Sequence, residues 1–149
     1  MTHTDPSTSY SEQMASFVAG VSIDDLPPAT VASATTLIRD FVGLALAGHS
    51  QPSAQIVREL VTADGGRPDA AVIGTADRLP MRGAALANAA LAESLEYGDT
   101  HRVPSGTKST GIHAGLCVIP AALAIAEARH ASGADLIVGT VLGLEVAIR

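Results

Sequence analysis

Between Met81 and about Tyr97 the chain is Ala/Leu-rich on nearly every side of a helix, with Asn88 and Glu93 as polar exceptions. A helix that is apolar all round has no solvent face, so it belongs at the centre of a domain with other elements packed around it. Those elements must approach closely. Aromatic residues make up only 3% of the chain although hydrophobic residues make up 47%. The core is therefore built from Ala, Leu, Val and Ile, which favours helices meeting through Ala and Gly over aromatic-rich strands. At 149 residues there is room for one domain with a real core. The expected fold class is all-α (mostly), a multi-helix domain with one short β-hairpin.

The flanking sequence supplies the partners. Residues 1–8 read as a disordered tail, and residues 9–149 as the helical domain. A first helix is expected from Ser9 to Val21, with Met14, Phe17, Val18 and Val21 on one face. Ser9 and Glu12 have the spacing of a capping box. A second helix should cover Pro28 to Ala47, its proline tolerated in the first turn, with Gly48 at its C-terminal end. A third runs from Ser53 to Ala63 and ends at Gly65-Gly66. Ala70 to Pro80 reads as two extended arms around a turn. Beyond the central helix, Leu116 to Ala131 is apolar, with Pro120 either opening the helix or kinking it. Asp135 to Arg149 is a last helix, entered through Ser132-Gly133 with acid in its first turn. It stops in mid-pattern at Arg149, which reads as truncation.

Charge and cysteine content narrow the function. The net charge of −6, with nine scattered basic residues, argues against nucleic acid, whose phosphates need clustered Lys and Arg. The single Cys117 excludes an internal disulfide, and it reads as a core thiol. The opening residues, polar and without a basic start or apolar core, do not read as a signal peptide. The longest apolar run, Leu116 to Ala126, is interrupted by Pro120 and is too short to span a bilayer. A soluble, cytoplasmic protein with no membrane partner is expected.

The chemistry concentrates in Glu96 to Gly115, a polar stretch between two apolar helices. It holds two carboxylates, two histidines, one arginine, one lysine and five Ser/Thr hydroxyls. Rigid flanks position such a loop while the loop supplies reactive groups. Glu96 and Thr100 would share a face if the helix continued through Tyr97 and Gly98. His101 and His113 can each act as acid or base near neutral pH. Arg102 and Lys108 suit a substrate carboxylate, the first by a two-point fork and the second as a point charge. Gly111 and Gly115 bracket His113 and allow close backbone approach. The set suits an anionic, carboxylated small molecule and proton transfer.

Plainer roles compete. Asp99 at a helix end can serve as a cap. His101, Arg102 and Lys108 can be ordinary solvated side chains, and His3, His49 and His130 read as tail, helix end and surface. Glu96, Asp99, His101 and His113 could also ligate a metal, but their spacing matches no standard ligand pattern.

Several segments together resemble the N-terminal part of the MmgE/PrpD family, which includes 2-methylcitrate dehydratase, cis-aconitate decarboxylase and iminodisuccinate epimerase. They are Asp25-Leu26-Pro27-Pro28, Gly43 to Gly48, Val72-Ile73-Gly74-Thr75 through Leu79-Pro80, and Leu95-Glu96-Tyr97-Gly98-Asp99-Thr100-His101. Gly111 to Gly115, Ile119 to Ala124 and Gly143 to Val146 complete the set. The resemblance implies a helical domain that forms part of the active site and usually the dimer contact, so a homodimer is expected. It implies metal-free proton handling next to a carboxylate of a di- or tricarboxylic acid, by dehydration, decarboxylation or epimerisation. No cofactor is called for.

By the same resemblance Glu96, Thr100 and His113 face the substrate as the catalytic group. Arg102, Lys108, His101 and Asp99 are the candidates for binding it. Two positions depart from the family pattern: Gly98 stands where an acid is common and Ala114 where proline is common. The family's chains continue into an α/β lid domain absent from this sequence. The alternative expectation is therefore a truncated, catalytically silent helical domain that self-associates.

Overall fold

The computed structural model describes residues 9–105 and 108–148. Its helices are α1 (Tyr10–Gly20), α2 (Pro28–Ala47), α3 (Pro52–Ala63), α4 (Met81–Glu93), α5 (Ala114–Arg129) and α6 (Gly133–Ile148). Short 3₁₀ turns at Ile23–Asp25 and Gly48–Ser50 precede and follow α2. Two antiparallel hairpins interrupt the helices. One pairs β1 (Ala70–Ala71) with β2 (Arg78–Leu79), as expected; the other pairs β3 (His101–Ser105) with β4 (Lys108–Ile112). The second hairpin corrects the expectation of a single one.

The apolar helix α4 is central, as its sequence requires. It buries Gly83, Ala84, Ala87, Asn88, Leu91 and Ala92, and α2, α3 and α5 pack around it. Phe41 from α2, Leu91 from α4, Ile119 from α5 and Val72 from the first hairpin are almost fully enclosed. Burial of each such side chain contributes about 1.5–3 kcal/mol. The contact is close because small residues permit it. A Cβ on Gly48 would lie 2.0 Å from the carbonyl oxygen of Leu91, so the end of α2 sits directly on the α4 backbone. Asn88, only 1% exposed, uses its polarity: its oxygen accepts from the Ile73 amide at 2.9 Å and its nitrogen donates to the Ala71 carbonyl at 3.0 Å. The first hairpin is thereby tied to the central helix, which supplies what an isolated two-stranded pair lacks.

Other expectations are corrected. α1 forms with the capping box of Ser9 and Glu12 in place, yet buries none of its residues; Phe17 remains 49% exposed. Of the two places expected for Pro120 the structure has the one within α5, which leaves the Leu116 carbonyl without its usual helical donor. Cys117 is exposed, not a core thiol. It lies on an apolar groove of about 500 Å³ between α5 and α6, which also includes Val118, Ala121, Ile125, Leu136 and Gly139. Helix α2 with the turn after it, Pro28–Ser50, is 23 residues long and contains an 18-residue stretch with a mean hydropathy of 1.3, long and apolar enough by length and composition to cross a membrane. Here its Ala34, Phe41 and Ala45 are buried in the domain core.

Candidate functional site

The site begins where α4 ends. The helix stops at Glu93, short of Tyr97, because two devices close it. The Ser94 hydroxyl lies 2.7 Å from the Leu91 carbonyl, to which it donates, and Glu96 adopts a left-handed φ of 56° while its amide donates to the Glu93 carbonyl at 2.8 Å. A non-glycine residue with positive φ ends the helical path. Glu96 and Thr100 therefore do not share a helical face, which corrects the expectation built on their spacing. Glu96 is exposed, and no hydrogen bond joins it to Thr100 or His113.

The chain then passes tightly over α5. A Cβ on Gly98 would lie 2.4 Å from Cδ1 of Leu116, so the position where an acid is common in the family accepts one only if the Leu116 side chain shifts. This lets Asp99 reach the first turn of α5. Its Oδ2 accepts from the Gly115 amide at 3.4 Å, and a Cβ on Gly115 would lie 2.3 Å from its Oδ1. Free amides and the helix dipole at an N-terminus favour a carboxylate there.

His113 is the residue at the N-terminal boundary of α5, and it is exposed. Its Nδ1 lies 2.7 Å from the main-chain carbonyl oxygen of Asp99 and 3.4 Å from Oγ1 of Thr100. A carbonyl can only accept, so Nδ1 carries the proton. In the neutral ring Nε2 then has a lone pair, and no hydrogen bond occupies it among the described residues. Thr100 is exposed beside it. Asp99, Thr100 and His113 are thus brought together from opposite ends of the polar stretch.

What was expected as a loop between Thr100 and His113 is largely the β3–β4 hairpin, with His101 opposite Ile112 and Arg102 opposite Gly111. The β-branched residues Val103, Thr110 and Ile112 favour strand here. His101 and Arg102 are exposed at its base, and no hydrogen bond links either to the His113 cluster. Lys108 opens β4, and its side chain lies outside the described portion. Among the described residues no three His, Cys, Asp or Glu side chains converge as metal ligands. Apart from the Cys117 thiol, the α5–α6 groove offers mostly apolar surface. Its carboxylate, Asp135, is occupied by Ser132, whose hydroxyl and amide donate to it at 2.8 and 3.0 Å.

A mostly helical domain with a histidine held at a helix start, beside a threonine and an acid, defines a scaffold class. The family model of the MmgE/PrpD N-terminal domain matches residues 12–149, and the chain belongs to that family. No curated protein sequence matches it. The family is generally enzymatic.

Proposed function

We propose that this domain carries the proton-transfer wall of an MmgE/PrpD-type lyase or isomerase that acts on a small di- or tricarboxylic acid. The observation that supports the reading best is the state of His113: Nδ1 is held by a main-chain carbonyl and, among the described residues, no hydrogen bond takes Nε2 at this exposed helix start. Such an imidazole takes a proton from a carbon next to a carboxylate and returns one to the product or leaving group. Thr100, within reach of the same ring, has its hydroxyl hydrogen available for a substrate oxygen. Glu96 stands at the rim as a second proton carrier, and Arg102, Lys108 and His101 supply cationic or donor groups for carboxylates. The second wall comes from the lid domain that the family resemblance implies, and closure over the substrate excludes water. The protein works in the cytoplasm as a homodimer.

The test is exchange. A panel of di- and tricarboxylic acids is incubated with the protein in D₂O, and deuterium is read by NMR at carbons next to carboxylates. Wild-type protein exchanges one of them, and His113→Ala slows that exchange about 10²–10⁴-fold while keeping the helical circular dichroism. Undiminished exchange in the variant removes the mechanism.

A second reading, self-association without catalysis, is favoured by the apolar α5–α6 face, where Ile125 is 54% and Val146 is 46% exposed. Light scattering that shows a concentration-dependent mass, with no exchange on any acid of the panel, selects it.

A further inference from the structure

We infer that Asp99 is the positioning residue of the site: its carboxylate docks on α5 so that its own carbonyl fixes the tautomer of His113. Two contacts from one residue carry this. The side chain meets the Gly115 amide at 3.4 Å, and the main-chain carbonyl meets His113 Nδ1 at 2.7 Å. Gly115 and His113 are two positions apart at the same helix start, so the side-chain contact sets where the carbonyl lies relative to the ring. The two flanking glycines make the approach possible. Gly98 lets the backbone clear Leu116, and Gly115 leaves the space that the Asp99 carboxylate fills.

The consequence is chemical. A backbone carbonyl accepts but never donates, so a neutral ring held against it presents a proton at Nδ1 and a lone pair at Nε2. Unheld neutral imidazole prefers the opposite arrangement, with the proton at Nε2. Asp99 therefore acts through His113, and its carboxylate serves the helix rather than a substrate. That His113 is the acid/base rests on the function proposed above; the tautomer itself does not.

Long-range ¹H–¹⁵N NMR of the imidazole nitrogens reads the tautomer directly in the full chain, without substrate. Wild-type protein gives the Nδ1–H pattern for His113. Asp99→Ala, with unchanged helical circular dichroism, moves His113 toward the Nε2–H pattern, whereas Asp99→Asn, whose side-chain oxygen still accepts from Gly115, restores it. Should Asp99→Ala fail to fold, Gly115→Ala replaces it, since the new methyl displaces the carboxylate and shifts the same signals. An unchanged Nδ1–H pattern in Asp99→Ala or in Gly115→Ala overturns the inference, as does an Asp99→Asn protein that behaves like Asp99→Ala. Absence of any deuterium exchange in wild-type protein, with the tautomer shift present, counts against the proposed function and leaves the positioning role standing.

Discussion

Asn88 donates its side-chain amide to the carbonyl of Ala71 at 3.0 Å, across seventeen positions of sequence, from a site only 1% exposed. The same side chain accepts from the Ile73 amide. Asn88→Ala leaves a donor and an acceptor of the first hairpin without partners in a largely dry place. The expected loss is about 2–4 kcal/mol, from roughly 1–3 kcal/mol for each orphaned group. Urea unfolding of the variant against wild type measures it, and a loss below about 1 kcal/mol would show that water replaces the side chain.

Gly48 makes a different demand. A methyl there meets a main-chain oxygen, which cannot rotate away as a side chain can. Gly48→Ala is expected to cost about 2–3 kcal/mol even though alanine is the better helix former. Its thermal midpoint should fall below that of wild type. A rise would mean that α2 and α4 are further apart than the packing described.

The helix starts carry a pH signature. Asp135 is held below its ordinary value of 3.8 by the Ser132 side chain first and the Ser132 amide second, and Glu12 and Asp25 are lowered in the same way by Ser9 and Ser22. A depressed carboxyl contributes stability that is complete above the unfolded pKa and is lost as pH falls through the folded one. Ser132→Ala should therefore melt below wild type at neutral pH, with the gap narrowing below pH 3.8 to what the Ser132 hydroxyl contributes as acceptor of the Asp135 amide. Calorimetry over that range checks the sign. A gap that stays constant into acid would separate the hydroxyl from the carboxylate.

Cys117 offers a reporter for the apolar face. As the single thiol of the chain, and exposed on α5, it should react with a disulfide reagent at one equivalent per chain without denaturant. Protection that disappears on dilution would place a second copy over the groove.

Much of the architecture was legible in sequence because its signals are local. Pro28 at a helix start and the Ala/Leu surface of α4 both specify their elements without reference to distant residues, and the bounds of α2 are those expected, Pro28–Ala47. The boundary of α4 was not, since it depends on the backbone turn at Glu96, a conformation that glutamate seldom adopts. Nor was the pairing of His101 with Ile112, because the stretch between them is polar and shows no alternation strong enough to separate strand from loop. In the site, His113 and Thr100 were named from residue type and resemblance. The role of Asp99 was hidden, because thirteen positions and a hairpin separate Thr100 from His113, and only the folded chain shows that the acid before the hairpin meets the helix after it. Cys117 was misplaced for a related reason: a helix that is apolar all round gives no sign of which side lies open.

The pairing of His101 with Ile112 closes the hairpin at its base, beside Thr100 and His113. The paired strand residues beyond that rung, 102–105 and 108–111, form an arm with the rung as its shoulder. Changing a connection's length costs little entropy, so residues added to or taken from the arm are expected to leave the contact of His113 with Asp99 in place. The fold thus separates two kinds of change. On the function proposed above, substitutions along the arm are expected to alter which molecule is greeted, and substitutions at the shoulder whether anything happens to it.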